Sequence, residues 1–309
     1  MADVYTSSEN VVSDEQSFYN VMRVTGRGMT PFWESLGNAE PFEGAPKAGH
    51  TWFQTVSATA GAANKHLEGA IRADVETPTE TALLNHLQIF KRTYGITNSE
   101  KAATSRVSKK ALQRSKENSI LQLRLDIEAA LLGAAAPVQR TAAVAGELAG
   151  ALHYISSVID GAVAVPDVPD TALSYDAHIE APLKTMWENG VLEDKKILCG
   201  TGIKSVINGL LDGFRTTTNG ETKFSKNVTE IADAGWAKNV TVDSSTSLAA
   251  NEFIIYAPEL INPVLLRQVK DGDCTDPNYD AEAYENIFEM TLQVEDPYAA
   301  VHVKNILLP

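Results

Sequence analysis

Apolar and helix-favouring positions form their longest run between residues 100 and 133, where no Pro or Gly interrupts the chain before Gly133. Asn98 or Ser99 can cap the start of a helix here, and Gly133 followed by Pro137 can end it. At about 1.5 Å per residue the helix would be roughly 45–50 Å long. The apolar positions of its second half are Ile120, Leu121, Leu123, Leu125, Ile127, Leu131 and Leu132. We expect the remaining elements, mostly short strands and loops, to pack around this rod.

Alternation with period two predicts strands near the end of the chain. Residues 288–294 alternate clearly, and residues 300–306 alternate again after a turn at 295–298. We expect these two strands to pair as a closing hairpin. The positions expected to face a core are Met290, Leu292, Val294, Val301 and Val303. Residues 258–270 instead carry apolar residues at helical spacing, which predicts a helix.

A long, weakly apolar hairpin is predicted near the start of the chain. Residues 43–65 are poor in charge and rich in Ala, Gly and Thr, with a strand at 51–57 and a turn at 61–64. A second extended run covers residues 67–76 and ends at Pro78. Such a hairpin has little apolar surface of its own to bury, so it implies a partner surface.

The middle of the chain mixes helices and strands. We predict a strand over 83–97, a helix near 147–159, a Pro-containing linker at 163–169 that separates two domains, and a helix over 172–189 that Pro182 interrupts. The remaining predictions are strands at 196–199, 240–243 and 252–256, a helix at 202–211 and a polar loop at 215–227.

The sequence of residues 1–42 predicts an N-terminal arm rather than an element of the core. Residues 1–20 are polar and would order only against something else. Residues 21–42 hold aromatic residues between turn residues, which favours an extended segment that docks its rings on a neighbour.

Charge is distributed unevenly along the predicted rod. Six Lys or Arg and no Asp or Glu lie between Lys101 and Lys116, a stretch called the basic strip below. Two interpretations of the basic strip remain open. It is either a solvated face that leads into the buried second half of the helix, or a surface that contacts an acidic partner, which would be another subunit or nucleic acid. The candidate assembly contacts are Phe32, Trp33, Trp52, Phe53, Arg106, Lys109, Lys110 and Arg114.

Composition narrows the function classes. The 309 residues carry a net charge of −14, which argues against wholesale coating of nucleic acid. Cys199 and Cys274 are the two cysteines and form no CxxC pair, so neither a disulfide framework nor a cysteine zinc site is expected. The start of the chain lacks the pattern of a signal peptide, and the most apolar stretch, 142–165, contains ionisable residues that make membrane crossing costly. We expect a soluble protein made in a reducing cytoplasm.

No pattern predicts catalysis or a cofactor. Residues 200–205 follow a predicted strand and precede a predicted helix, but Ile203 stands before Lys204, where a phosphate-binding loop requires Gly. The six histidines fall at no metal-binding spacing, and no Gly-x-Ser-x-Gly elbow is present. We therefore predict no catalytic, cofactor-binding or metal site and expect a non-enzymatic protein.

The order of these features resembles a tailed-bacteriophage major capsid protein of the HK-97 fold, and more closely the subfamily named for the major head protein of phage SU10. Four places carry the resemblance: Gly28–Phe32; Leu67–Gly69 with Asn85–Ile89 and Gly95–Thr97; Ile120–Gly133; and Glu289–Leu292 with Asp296–Ala299.

The resemblance implies an α+β fold of the HK-97 type with five parts. These are an N-terminal arm (1–42), an extended β-hairpin loop (43–82), a peripheral domain (83–169) with a spine helix at 100–133, an axial domain (170–277) and a closing hairpin (278–309) that returns to the peripheral domain. The extended loop would lie over a neighbouring subunit, which accounts for its weak core.

The resemblance also implies a structural function. Copies would assemble as hexamers and pentamers into an icosahedral or prolate phage head that encloses double-stranded DNA through non-specific contacts. The implied partners are further copies, a portal, and scaffolding or decoration proteins; the implied location is the virion after synthesis in the host cytoplasm. The alternatives are an encapsulin-like cargo shell of the same fold and a soluble hydrolase-type enzyme.

Overall fold

The computed structural model describes most of the chain from residue 4 to residue 308. The described ranges are 4–5, 30–36, 39–43, 49–55, 68, 80–102, 111–155, 157–160, 172–210, 230–232, 236–237 and 239–308.

Helices in the described residues are mostly short. They are α1 (Pro31–Ser35), α2 (Asn98–Ala102), α3 (Ala111–Leu131), α4 (Ala151–Tyr154), α5 (Ala181–Glu188) and α6 (Thr201–Leu210), with a π-helical turn at Asp176–Glu180 and a 3-10 turn at Pro258–Leu260.

Strands carry most of the fold. They are β1 (Val4–Tyr5), β2 (Glu40–Pro41), β3 (His50–Thr55), β4 (Glu80–Asn85), β5 (Gln88–Thr97), β6 (Ser157–Asp160), β7 (Lys195–Cys199), β8 (Glu230–Ala232), β9 (Asn239–Ser244), β10 (Phe253–Tyr256), β11 (Ile261–Asp273), β12 (Ala281–Val294) and β13 (Ala300–Lys304).

The strands of the described residues form two sheets and one separate pair. A five-stranded sheet has the order β1-β5-β12-β11-β2, a six-stranded sheet has the order β6-β13-β10-β7-β9-β8, and β3 pairs with β4 alone. In the five-stranded sheet β12 is antiparallel to both β5 and β11, and short parallel strands form the edges. This mixture of helix and strand agrees with the predicted α+β class.

Helix α3 packs its inward stripe on the five-stranded sheet. Leu123, Ile127 and Leu131, spaced four residues apart, are buried in one core with Phe90 of β5 and Phe288 of β12. The structure confirms the predicted helix over 111–131, about 31 Å at 1.5 Å per residue. Helix α2 lies at the predicted start. Residues 103–110 lie outside the described residues, so a single rod over 100–133 stays a prediction.

The helix predicted over 258–270 is wrong, because this segment is the strand β11. It pairs with β12 along its length, and the register shifts at Leu265/Arg267 and again at Arg267/Lys270. Val264 is buried and the next residue, Leu265, is partly buried, so both faces of the strand carry apolar residues before the bulges, and the bulges break the alternation after Leu265. Only Pro258–Leu260 is helical there, as a single 3-10 turn.

The predicted closing hairpin over 278–309 is also wrong. Its two strands exist as β12 and β13, but β12 pairs with β5 and β11, whereas β13 pairs with β10 and β6 of the other sheet. Asp296 redirects the chain between them by accepting hydrogen bonds from the amides of Tyr298 (2.7 Å) and Ala299 (3.0 Å). All five predicted inward residues are buried, but they divide between two cores.

The helix predicted near 147–159 is largely replaced by other structure. Only α4 is helical, and β6 follows as an edge strand parallel to β13. The amides of Leu148 and Ala149 bond to side chains of Gln88 and Asn85 instead of continuing a helix. A Cβ at Gly150 would lie 2.4 Å from the amide nitrogen of Gly133, so only Gly permits this approach.

The base of the predicted extended loop differs from its expected boundary. Strand β3 pairs with β4 from His50↔Asn85 to Thr55↔Glu80, so the boundary drawn at residue 82 falls inside β4. The strand predicted over 67–76 lies outside the described residues, apart from residue 68. The single strand predicted over 83–97 divides into β4 and β5.

The remaining local predictions agree well with the structure. Strands β7, β9 and β10 and helix α6 lie where they were predicted. Pro182 stands in the first turn of α5, directly after a π-helical turn, which confirms the expected break in 172–189. The linker at 163–169 and the loop at 215–227 lie outside the described residues.

A buried carboxylate fixes α1 against α3. Glu128 of α3 accepts hydrogen bonds from the amides of Phe32 (3.0 Å) and Trp33 (2.7 Å), two of the free N–H groups at the start of α1. Pro31 has no N–H to offer, and Thr30 makes no side-chain cap. Glu128 therefore caps α1 from a distance of almost a hundred residues in sequence.

The same carboxylate also contacts the other sheet. The Ser245 hydroxyl, directly after β9, lies 3.3 Å from Glu128 Oε1. One turn before Glu128, Arg124 donates to Thr30 Oγ1 (3.1 Å) and pairs with Glu34 of α1. Both ends of α1 are thus held by side chains of one helix.

A buried amide holds the base of β4. Asn85 Nδ2 donates to the carbonyls of Ala149 (2.9 Å) and Leu292 (2.8 Å), and its Oδ1 accepts from the amides of His86 (2.9 Å) and Ala149 (2.8 Å). All four hydrogen-bonding positions of the amide are used, so this one residue connects β4, β12 and the segment before α4.

We predict that Asn85→Leu lowers the free energy of unfolding by roughly 3–4 kcal/mol. The new side chain has a similar volume but leaves several buried backbone groups without partners, each worth about 1–3 kcal/mol. Urea denaturation of the purified protein measures the loss. Asn262→Ala is the control, because it removes only a solvent-exposed bond to Glu295 and should change stability by about 0.5 kcal/mol or less. Equal effects would contradict the role of Asn85.

We predict that Glu128 makes stability depend on pH. Burial, opposed by the hydrogen bonds, raises the pKa of Glu128 above its ordinary value of 4.5. The folded state therefore holds this proton more tightly than the unfolded state, and its contribution to stability is lost as pH rises through the folded pKa. Wild type should lose stability relative to Glu128→Gln as pH rises from about 4.5.

Urea unfolding of both proteins over a pH series measures this difference. Glu259→Gln, which removes an exposed carboxyl group by the same substitution, is the matched control. A pH-independent gap between wild type and Glu128→Gln would refute the linkage.

Candidate assembly surfaces

The aromatic residues of α1 are used inside the chain. Phe32 is fully buried, and its ring centroid lies 5.0 Å from that of Tyr256. It is therefore no assembly contact: the prediction for Phe32 is wrong, because capping by Glu128 turns α1 into the core. Trp33 packs edge-on against Phe288 (6.0 Å) and keeps part of its surface exposed, so it stays a candidate.

Successive residues of β3 face opposite sides of the strand. Trp52 is buried, donates from Nε1 to the carbonyl of Val294 (2.7 Å) and packs edge-on against Tyr154 (5.1 Å). The prediction that Trp52 contacts another subunit is therefore wrong. Phe53, the next residue, points the other way and is 66% exposed, so it remains a candidate.

Strand β4 extends the exposed face around Phe53. Ala82 pairs directly with Phe53, and Leu84 pairs with Thr51, so all four side chains share one side of the two-stranded sheet. Each of the four is exposed. The other side is held to β12, where Gln54 Nε2 donates to the carbonyl of Val294 (2.9 Å). This bare apolar side, Thr51, Phe53, Ala82 and Leu84, is called the loop-base face below.

The described cations of the basic strip have partners within the chain. Lys101 pairs with Glu282, and Lys116 Nζ lies 2.5 Å from Asp271 Oδ2. Arg114 is half-buried on α3. Three of the predicted contacts, Arg106, Lys109 and Lys110, lie outside the described residues. The two ends of the strip are thus ion-paired to the β11–β12 hairpin rather than open to another molecule.

Asp271 organises this end of the strip. It accepts from Lys116 and from the Tyr94 hydroxyl (2.7 Å). Burial opposes ionisation of Asp271, but these hydrogen bonds outweigh it and hold its pKa below the usual value. Burial, reinforced by the adjacent carboxylate, raises the pKa of Tyr94. Sequence reasoning did not connect Asp271 with the strip, since the residues are far apart in the chain.

The loop at 200–205 is built for packing. Lys204 Nζ donates to the carbonyl of Val242 (2.5 Å), and burial lowers the pKa of Lys204. A Cβ at Gly200 would lie 1.9 Å from the carbonyl oxygen of Ala249, so Gly is required by the close backbone approach. The strand–turn–helix interpretation accounts for these residues without a bound phosphate.

The part of the chain that the structure describes contains neither a metal-ligand cluster nor a membrane-spanning helix. No group of three or more His, Cys, Asp and Glu residues there could hold a metal ion. None of its helices has the length and apolar character needed to cross a membrane. Cys199 is buried, which raises the pKa of its thiol to about 11, and Cys274 is exposed; both are free thiols.

Sequence reasoning missed two buried carboxylates that connect elements. One is Glu128. The other is Glu289 of β12, which pairs with Arg140 and accepts from Arg267 Nε (2.9 Å) and Nη2 (2.8 Å). A charged residue inside an apolar run was the available signal in both cases, because such charges are rarely buried without partners.

Similarity to solved structures shows the fold. The chain matches the cyanophage A-1(L) capsid asymmetric unit with a TM-score of 0.60 and 15% identity, covering 91% of this chain and 94% of that chain. It matches a structure of Gordonia phage Cozz with a TM-score of 0.58 and 12% identity, covering 90% of this chain and 87% of that chain. It matches the capsid structure of cyanophage P-SCSP1u with a TM-score of 0.57 and 10% identity, covering 88% of this chain and 87% of that chain. The fold is therefore the predicted HK97 type.

Comparison of the sequence identifies the family. None of the curated proteins compared matches the chain. The family model described as SU10 major capsid protein matches residues 4–307, nearly the whole chain. The chain therefore belongs to the SU10 major capsid protein family and is a phage major capsid protein, a structural component of the virion whose copies form the capsid shell.

Proposed function

We propose that copies of this chain assemble as hexamers and pentamers into an icosahedral or prolate head that encloses double-stranded DNA. Membership in a major capsid family supports the shell, and the loop-base face supports a specific way to build it. An apolar face that the chain leaves bare, on a strand pair whose other face is firmly anchored, is a surface suited to a second copy.

The parts of the subunit follow from this proposal. Residues 43–82, extended to Asn85 by the strand pairing, form the extended loop that lies over a neighbour. The five-stranded sheet and α3 form the peripheral domain. The six-stranded sheet forms the axial domain around the symmetry axes. This changes the expected bounds, because β6 and β13 lie in that sheet but outside 170–277, whereas β11 lies inside 170–277 but belongs to the five-stranded sheet. Residues 1–42 form the arm, except that α1 is anchored in the subunit's own core.

The acidic charge supports the proposed relation to DNA. A net charge of −14 per copy disfavours tight coating of the genome, so contacts with packaged DNA are few, non-specific and sensitive to salt. A portal is the further partner of such a head, and a scaffolding or decoration protein is a candidate partner. The subunit is synthesised in the host cytoplasm and ends in the virion.

We predict that Phe53→Ser prevents closed shells without unfolding the subunit. Phe53 is exposed and contacts no core, so its loss should leave the melting temperature within about 1 °C while removing an apolar contact between copies. Negative-stain electron microscopy and sedimentation velocity measure assembly of wild type and variant. Phe53→Leu, which keeps an apolar side chain, is the matched control and should assemble.

Two results would oppose this reading. Wild-type protein that stays a monomer or dimer, even when coexpressed with the other head proteins, would contradict the proposed shell. Normal shells from Phe53→Ser would instead exclude the loop-base face as the contact.

We predict that Lys109→Glu with Lys110→Glu alters assembly or DNA packaging more than folding. The two ends of the basic strip pair with carboxylates of the same chain, and this double charge reversal tests whether the positive charge between them meets an acidic partner, either another subunit or nucleic acid. Particle yield and packaged DNA are measured beside thermal unfolding. If the variant forms normal particles with normal DNA content, the basic strip contacts no partner and is only a solvated face of the subunit.

A further inference from the structure

The side of β3 opposite the loop-base face is held to the end of β12 by three side chains. His50 Nε2 lies 2.6 Å from Oε1 of Gln293. Trp52 Nε1 and Gln54 Nε2 both donate to the carbonyl of Val294, at 2.7 Å and 2.9 Å. All three anchors lie on one side of the strand, because side chains alternate along it. They are spread over about 13 Å of β3 at about 3.3 Å per residue, yet they converge on two adjacent residues of β12.

These anchors set the direction in which the β3–β4 pair leaves the subunit. In the sheets of the described residues β3 pairs only with β4, so no backbone ladder fixes its angle to β12. Side chains fix that angle instead. The rings of His50 and Trp52 also stack, with centroids 5.8 Å apart, which stiffens the inner end of the strand.

Gln54 is the anchor that lies farthest from the inner end of the pair. Asn85, which faces His50 in the ladder, holds the inner end of β4, and the carbonyl of Leu84 accepts from the Tyr154 hydroxyl (2.8 Å). Of the hydrogen bonds described between the pair and the rest of the subunit, that of Gln54 lies farthest out. Its side chain is buried, so water does not compete for the bond.

A small change of angle has a large effect at the outer end of the pair. From His50 to Thr55 the strand spans about 17 Å, so a swing of about 10° around the inner end would move Thr55 by about 3 Å. Apolar contacts tolerate gaps of only about 1 Å, so such a displacement would break a contact made by the loop-base face. Because identical contacts repeat around a closed shell, an error in their angle also repeats and prevents closure.

We propose that Gln54 is a positioning residue for assembly, which holds the β3–β4 pair at the angle that a neighbouring copy requires. This inference rests on the proposed shell function and names the residue that orients its loop contact. Gln54 and Phe53 are adjacent, but Phe53 supplies contact area on one side of the strand, whereas Gln54 supplies direction on the other.

Gln54→Met separates direction from stability. Methionine resembles glutamine in size but cannot donate to Val294, whose carbonyl keeps its bond from Trp52 and is not left without a partner. The melting temperature should therefore fall by no more than about 3 °C. Gln113→Met is the matched control, because Gln113 is exposed on α3 and bonds to Glu117 of the same helix.

Pulsed electron spin resonance measures the direction of the pair. Spin labels are attached through Glu80→Cys, at the outer end of β4, and Gln122→Cys, on the exposed side of α3, with Cys274→Ser to remove the exposed native thiol. Labelled copies are diluted with unlabelled copies, so that only distances within one copy are measured. Gln54→Met should broaden the distance distribution at least about twofold, whereas Gln113→Met should leave it unchanged.

A second variant grades the effect by position. Gln293→Met removes the bond to His50 at the inner end of the pair, so it should broaden the distribution much less than Gln54→Met does. General loosening of the fold would not produce this order. Equal broadening in the two variants, no broadening in Gln54→Met, or a large loss of its stability would each overturn the proposal.

Negative-stain electron microscopy of the unlabelled variants tests the consequence for assembly. Gln54→Met should reduce the share of closed particles with the wild-type diameter at least about threefold, and Gln113→Met should not change it. A broadened distribution together with normal particles would overturn the role of Gln54 in assembly. Failure of the wild type to assemble counts against the shell function, whereas an assembling wild type with an unaffected Gln54→Met counts against the positioning role alone.

Discussion

Strand β12 is the constraint on which the rest of the subunit depends. It is hydrogen-bonded to β5 along one edge and to β11 along the other, and α3 covers one of its faces. At its end, the carbonyl of Val294 accepts bonds from both Trp52 and Gln54, which anchors the β3–β4 pair. Since buried backbone groups must find partners, a change in the register of β12 would unpair two strands and release the loop base together.

The two sheets are not independent, because β10 serves two cores. Ile254 and Tyr256 face the core that contains α3, while Phe253 and Ile255 face the core beneath α5 and α6. Burial on both sides explains why this strand is a continuous apolar run rather than an alternating one. Glu128 adds a polar connection at the same junction through Ser245. Motion of one sheet therefore has to deform a shared core, which favours a subunit that moves as a unit during assembly.

Local patterns could be predicted from the sequence, and pairings across long distances could not. Helix α3 followed from uninterrupted helix formers, and β12 and β13 followed from alternation. Which strand β12 pairs with depends on residues far away in the chain, so a hairpin with its nearest neighbour was the wrong choice. Strand β11 lacks a clear period-two pattern, because apolar residues lie on both of its faces before two bulges interrupt it, and it was therefore predicted as a helix. The family resemblance gave the correct fold type, because it depends on the order of elements along the chain, but the closing hairpin that it implied is wrong, because pairing depends on distant residues.

The candidate contacts show the same limit for side chains. Phe32 and Phe53 look alike in sequence, each an aromatic residue beside a tryptophan, yet Phe32 is buried and Phe53 is bare. For Phe32 the difference comes from Glu128, whose hydrogen bonds turn α1 inward. For Phe53 the difference comes from the alternation of side chains along β3. Trp52 lies on the side that is hydrogen-bonded to Val294, so Phe53 lies on the opposite side. Aromatic residues that the core does not use are therefore the ones that we propose for contacts between copies, because in an acidic chain apolar area can stabilise an interface that like charges would oppose.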